Sequence, residues 1–535
     1  MLLVSACAPA STAVGPGTLR VVGSPPIPAT VQEFVNPLRG QYENLLTPLF
    51  PQGNPAQRGF PAWPGSRDAS LRITWAELQP ADPRRIRSGT PDDRRFDFRS
   101  IDHALAEADK RGMRLTLRIM AYNSCCNATY PRNTNIAVPE WLRTTPGATR
   151  TFPPTRAQKV VQVVPEWNHP AYLGAVEQLI SALGRRYDGD ERLSVFEFSG
   201  YGDFSENHVA FLRDALNAPG SAPEDSVRAL GYYSQYRDQS ITAVSIRRLV
   251  AAHVSAFPRT QLVVTAQNPE IVRQMLAPKV TASLAAPVGI RSDCLGVYEP
   301  LPAWAHEPDS DYVRRKDRLV DELVHRLSTA PVITEWCQLP KGASLRGYYQ
   351  KAVRDVVRFH VSMASSSNFP DRDSRRPMDP DLFALWSRAN RFAGYRYSVE
   401  GVTGSGSFAG GAATLQVRWS NLGAAVATEN WVPSYHVLDR SGRTVRTLTA
   451  AVDLKDLLTR PGEDPGGAPV AASTVDRIRM DAAGLEPGRY TIAAVVAWAH
   501  HKPRASHVVD YPPMALARAG RDASGRYPVA VLDLS

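Results

Sequence analysis

Two glutamates stand where one chain could use them together. Glu206 follows the apolar run Leu193-Ser-Val-Phe-Glu-Phe198 and a loop opened by Gly200 and Gly202, and Glu335 ends the run Ala330-Pro-Val-Ile-Thr-Glu335. Short apolar runs bounded by breakers read as buried strands, and carboxylates at the C-terminal ends of parallel strands are how a (β/α)8 barrel carries its chemistry. A pair of such carboxylates implies glycosidic bond hydrolysis: one protonates the leaving oxygen, and the other attacks the anomeric carbon or activates water. Asp203 and His208 share the Glu206 loop, where they either meet a substrate or cap the next helix. Arg39, Arg118, Tyr122, Asn123, Gln267, Asn268, Asp293, Tyr298, Glu299 and His360 fall at or near expected strand ends, and several are expected to line the pocket. Trp336, beside Glu335, is expected to form a wall on which a sugar ring stacks, and Trp141, Trp167 and Trp304 serve either as further platforms or as core.

The elements that must position these residues alternate. Strands are expected at Asn36–Glu43, Leu71–Trp75, Arg114–Met120, from Leu193, at Gln261–Ala266, Val288–Asp293, Pro331–Glu335 and Phe359–Ser366. Helical spacing runs from Asp97 to Arg111, stopped by Gly112, and recurs at Pro170–Tyr187, Gln239–Phe257, Glu270–Leu276, Asp311–Leu327, Arg346–Arg358 and Asp379–Phe392. The insertion from Ala121 to His169 is long enough to be a functional loop rather than a plain connection. After Gly394 the pattern changes to turns and short alternating strands, which predicts a β-sandwich over 395–535 whose expected role is a stabilising lid. The fold expected is therefore an α/β (β/α)8 barrel over 29–394 followed by an antiparallel β-sandwich.

Strand alternation adds one more expectation. If Phe196 and Phe198 face the helices, then Glu197 points into the barrel, as do Arg118 and Arg72 on their strands. Charges inside a barrel must pair, so a network of Arg72, Arg118 and Glu197 is expected there, with a structural role.

Length and composition agree with this picture. A chain of 535 residues exceeds one ordinary core, and 43% hydrophobic with 21% charged residues is ordinary for a globular protein. The net charge of +10 is spread along the chain rather than gathered into a stripe with aromatics, which speaks against nucleic acid as a partner. Met1–Cys7 resembles the tail of a truncated bacterial lipoprotein signal, with Val4-Ser-Ala-Cys7 as the lipobox, and residues 1–28 read as signal and tether. The expected address is extracytoplasmic, secreted or held to the envelope through a lipid on Cys7. Cys125, Cys126, Cys294 and Cys337 include no Cys-x-x-Cys pair, so a zinc site is not expected, and the reading calls for no other metal or cofactor. One disulfide among them is plausible, with the pairing open.

The motifs Trp75-Ala-Glu-Leu-Gln-Pro80 and Phe96-Asp-Phe-Arg-Ser-Ile-Asp102 resemble a signature of clan-A glycoside hydrolases of the β-galactosidase type. Asn36-Pro-Leu-Arg-Gly40, Gly200-Tyr-Gly-Asp-Phe-Ser-Glu206, Glu335-Trp-Cys337 and Gly394-Tyr-Arg396 are similar to a bacterial family of unknown function that pairs such a barrel with a C-terminal sandwich. The resemblance implies a retaining mechanism on an oligo- or polysaccharide, with Glu206 as acid/base and Glu335 as nucleophile. Ser205 stands where the clan usually has Asn, and Gln79 where it has Glu. The alternative reading is a non-catalytic carbohydrate-binding or surface-scaffold protein on a degenerate barrel.

Overall fold

The computed structural model describes residues 17–29, 32–124, 133–154, 159–209, 241–405, 412–462, 467–499 and 507–535. Eight strands form one parallel sheet: β1 (Gly40–Tyr42), β2 (Asp68–Thr74), β3 (Arg114–Met120), β4 (Leu193–Glu197), β5 (Gln261–Thr265), β6 (Gly289–Leu295), β7 (Val332–Trp336) and β8 (Met363–Ser365). Consecutive strands pair from β2 through to β8, and β8 pairs with β1. Glu43, just past β1, bridges Ala69 of β2, its N–H donating to Asp68 O at 3.0 Å and its carbonyl accepting from Ser70 N at 2.8 Å. That seam closes the barrel and leaves no free edge.

Each of β2 to β8 is followed by a helix: α1 (Arg99–Lys110), α2 (Pro170–Tyr187), α3 (Ala243–Ala256), α4 (Pro269–Leu276), α5 (Arg318–Thr329), α6 (Leu345–Arg358) and α7 (Pro380–Phe392). The apolar stripe expected in α1 is the one it buries, with Ile101, Ala104, Leu105 and Ala108 against the sheet. The single long helix expected over Asp311–Leu327 is instead a short turn, Asp311–Arg314, and α5. Lys316 takes a left-handed φ of +51°, and the Asp317 side chain restarts the helix by accepting from Leu319 N at 3.0 Å.

The barrel interior is layered. Leu38, Tyr42, Val195, Val263, Ile333 and Met363 form an apolar plug nearer the N-terminal ends of the strands. Two residues further along, alternation puts Glu197, Thr265 and Glu335 on the same inward side.

The second domain packs a sheet of β9 (Tyr397–Ser405), β10 (Ala412–Asn421) and β13 (Ala472–Asp481) against a sheet containing β11 (Trp431–Leu438), β12 (Thr444–Thr449), β14 (Gly488–Trp498) and β15 (Tyr527–Leu534). Two expectations change here. Gly17–Val21, within the stretch read as tether, is a strand that pairs antiparallel with β15, so it belongs to the sandwich. The sandwich also meets the N-terminal ends of the barrel strands rather than their C-terminal ends: buried Arg114, which opens β3, pairs with Glu429, and Glu191 accepts from Val509 N at 3.0 Å. It therefore supports the barrel from below and is not a lid over the strand ends that carry Glu206 and Glu335. No described helix is long and apolar enough to cross a membrane, and Cys7 lies outside the described residues.

Candidate active site

The loop after β4 is a tight, heavily bonded turn. Gly200 and Gly202 take φ of +92° and +82°, and a Cβ on Gly202 would stand 2.6 Å from the His208 backbone, so only glycine fits. Asp203 N donates to His208 O, and Glu206 N to Asp203 O, both at 2.8 Å. The Asp203 carboxylate accepts from Ser124 N at 2.7 Å, Ser205 Oγ donates to Ile119 O at 2.7 Å, and Phe204 N donates to Tyr122 O at 3.1 Å. These bonds pin the loop onto the end of β3 and turn Glu206 over the barrel mouth. Asp203 and Ser205 thus hold the backbone. Burial, against the pull of His208 and the Ser124 bonds, raises the Asp203 carboxyl to about 6.

Glu335 arrives directly from β7, and Asp293 from β6. Between Ser292 and Leu295 the β6–β7 register shifts, with Cys294 at φ +63°, so β6 carries a bulge where Asp293 turns inward. One oxygen from each of Glu206, Asp293 and Glu335 lies within 4.8 Å of the others. The three carboxylates share a cleft of about 630 Å³, lined also by Arg72, Asn123, His208, Gln267, Tyr298 and Asn368. Its apolar rim includes Leu45, Met120 and Phe204 and the Cys294–Cys337 disulfide. Cys125 and Cys126 lie outside the described residues.

Beneath the acids sit three arginines. Arg118 donates to Glu197 at 2.8 Å and to Glu206 at 2.7 Å. Arg291 reaches Glu335 at 2.6 Å, Asp293 at 3.2 Å and Glu197 at 3.6 Å. Arg72 lies 4.0 Å from Glu206 and 3.8 Å from Glu335. The expected network of Arg72, Arg118 and Glu197 is thus present in part and larger than expected: Arg72 faces the two outer glutamates instead of Glu197, and Arg291 joins. Alternation along Ile290-Arg-Ser-Asp293 would have found Arg291, since it shares parity with Asp293.

This cation set separates the acids. Burial alone would raise Glu206, but His208 at 3.6 Å and the charges of Arg118 and Arg291 override it and hold the carboxyl well below the usual range. His208 moves the other way: burial lowers it, but Glu206, Asp203 and Asp293 outweigh that and raise it. Burial, with the charges of Glu206 and Glu335, pushes Asp293 up to about 7.

Other expected site residues lie elsewhere. Arg39 precedes β1, at the opposite end of the barrel, and donates to Tyr395 O at 2.9 Å and Arg391 O at 3.0 Å. His360 precedes β8 at that same end and bonds Ala424 O at 2.8 Å. Closeness to a strand in sequence does not say at which end of it a residue stands, and both serve the seam with the sandwich. Trp336 is fully buried against Tyr348, Tyr349 and Phe369, because its side chain alternates away from that of Glu335; it makes no stacking wall. Trp141, Trp167 and Trp304 are core. Asn268 caps α4 through Glu270 N and Ile271 N, Tyr122 donates to Gln162 at 2.8 Å, and Glu299 pairs with Arg358 at 3.7 Å. None of these three lines the cleft. Residues 121–169 supply Asn123 to the cleft and otherwise fold, where described, around a small sheet of Thr134–Asn135, Thr149–Phe152 and Val161–Pro165.

No protein-family model matches the sequence, and comparison with curated proteins gives no match. Among solved structures, the chain is similar to endo-glycoceramidase II from Rhodococcus sp. in its lactosyl-enzyme form, at 13% identity, covering 85% of this chain and 99% of that one with a TM-score of 0.36. It is similar to the endo-beta-1,4-mannanase from Thermotoga petrophila at 10% identity, covering 88% and 96%, TM-score 0.34. It is also similar to a beta-galactosidase from the psychrophilic Marinomonas ef1 at 10% identity, covering 61% and 55%, TM-score 0.32.

Proposed function

We propose that the protein is a retaining glycoside hydrolase acting on an oligo- or polysaccharide, with Glu335 as nucleophile and Glu206 as acid/base. One observation carries the reading: the oxygens of Glu206 and Glu335 within 4.8 Å of each other at the mouth of one barrel. Oxygens that approach this closely leave little room for the water that an inverting pair, ~6.5–9.5 Å apart, holds between its carboxyl groups, and this favours the ~5–5.5 Å retaining arrangement. Glu335 attacks the anomeric carbon while Glu206 protonates the leaving oxygen; Glu206 then deprotonates the water that frees the sugar. Arg291, bonded to Glu335 at 2.6 Å, fixes the attacking carboxylate.

A second reading, a carbohydrate-binding scaffold on a degenerate barrel, is favoured by the grip of Arg118 and His208 on Glu206, which opposes its protonation. An extracytoplasmic address is supported by the Cys294–Cys337 disulfide, a bond of oxidising compartments, and by the lipobox ending at Cys7.

The test is a screen of aryl glycosides and polysaccharides with the unmutated protein and Glu335→Gln. Loss of about 10³-fold or more in kcat, with a 2-deoxy-2-fluoroglycoside trapped on Glu335 by mass spectrometry, is expected. Sugar binding without turnover in the unmutated protein would favour the scaffold.

A further inference from the structure

Glu206, the group assigned to protonate the leaving oxygen, is surrounded by cations, with Arg118 at 2.7 Å, His208 at 3.6 Å and Arg72 at 4.0 Å. A carboxylate so placed resists holding the proton it must give. Beside it stands an acid that those cations serve less well. Asp293 is 6% exposed, and among the described residues its Oδ1 accepts only the Arg291 Nε, at 3.2 Å, from a guanidinium already committed to Glu335 at 2.6 Å. Its Oδ2 is buried and takes no hydrogen bond among the described residues. Three arginines, Arg72, Arg118 and Arg291, face three glutamates, Glu197, Glu206 and Glu335, and His208 is matched by Asp203, so the inner charges balance before Asp293 is counted.

We propose that Asp293 is a positioning residue that stores the catalytic proton, passing it to Glu206 as the glycosidic bond breaks and taking it back as the sugar leaves. The proposal rests on the glycosidase reading and names where that site's proton resides. In the first step the Asp293 O–H bond breaks and its proton moves through one bridging water to Glu206, whose nearest oxygen lies within 4.8 Å; Glu206 gives a proton to the glycosidic oxygen, which departs as an alcohol with the electrons of its bond to the anomeric carbon. Glu335 becomes an ester of that carbon. In the second step water attacks the anomeric carbon, Glu206 takes the water's proton and returns one to Asp293, and Glu335 leaves as a carboxylate. Throughout, the three acids carry two negative charges: Glu206 and Glu335 before the first step, Glu206 and Asp293 after it. The arginines beneath them therefore never face a changed total charge. Esterification of Glu335 also removes one of the two charges that keep Asp293 protonated, which releases its proton at the moment it is needed. The other titratable groups that face Asp293 are Arg118, His208 and Tyr298.

The experiment compares the unmutated protein with Asp293→Asn and Asp293→Glu on aryl glycosides of graded leaving-group acidity. Asp293→Asn is expected to lose about tenfold or more in kcat with a poor leaving group and less than about twofold with dinitrophenolate, which departs without a proton. Asp293→Glu is expected to recover part of the loss. Equal losses on both substrates with an unchanged pH profile overturn the proposal. A second readout needs no turnover: an infrared difference spectrum between about pH 5 and about pH 9 should contain a carboxylic acid signal titrating near neutrality that is missing in Asp293→Asn and retained in His208→Gln. Absence of that signal from the unmutated protein overturns the stored proton. Its presence in a protein that hydrolyses no glycoside overturns the hydrolase reading instead.

Discussion

Arg291 touches three acids with one rigid fork, and its divided attention is what leaves Asp293 half-satisfied. The cost of that arrangement has a sign that can be worked out. The folded Asp293 carboxyl is raised from 3.8 to about 7, so between those values the native state holds a proton that the unfolded chain has lost. Stability contributed by this group is therefore fully present below the unfolded value, falls as pH rises through the window, and is lost above about 7. Asp293→Asn, which cannot ionise, is expected to raise the thermal midpoint by about 2 °C at pH 8 and to change it little near pH 4, as calorimetry at the two pH values would register. A midpoint difference that does not depend on pH would contradict the assignment.

The bulge in β6 and the disulfide work as one device. Cys294 adjoins Asp293, Cys337 follows Glu335 by two residues, and their bond ties β6 to β7 just past both acids. Tyr348 seals the same corner by donating to Cys337 O at 2.8 Å. Replacing both cysteines with serine is expected to reduce unfolding free energy by about 2–4 kcal/mol. Because small displacements of reacting groups are expensive, kcat should also fall about tenfold with KM little changed, measured with denaturant melts and steady-state kinetics.

How far the sequence foretold these elements follows from what each depends on. The strands, most helices and the change of pattern after Gly394 were legible because apolar spacing survives in one dimension. The placement of Glu206 and Glu335 at the mouth of the barrel was legible because glycine and strand ends announce it. The places of Arg39 and His360 were not legible because closeness to a strand does not say which end, and Trp336 points away from the cleft because neighbours on a strand alternate. The bulge at Cys294 left no local signal: it depends on pairing with β7, forty residues on.

Across the whole molecule, the barrel stands on the sandwich. Arg114 is fully buried, donates to Glu191 O at 2.6 Å, and pairs with Glu429 from the other domain. Removing one partner of a buried pair leaves an uncompensated charge, so Glu429→Gln is expected to cost about 3–5 kcal/mol of stability. The cleft lies at the opposite strand ends, so KM and kcat of the folded fraction should stay unchanged; chemical denaturation together with kinetics would check both.

The pairing of Gly17–Val21 with Tyr527–Leu534 makes the barrel an insertion within a domain whose two halves lie at opposite ends of the described chain. In the sheet, β15 sits between that first strand and β14, so the last of the described strands to be synthesised occupies an inner position. The barrel can gather its parallel strands while synthesis is still under way, but the platform beneath it stays open until translation has run through Leu534. A ribosome stalled before Tyr527 would hold a nascent barrel on an unfinished base, and a nonsense codon within that strand would weaken the protein while leaving every residue of the cleft in place.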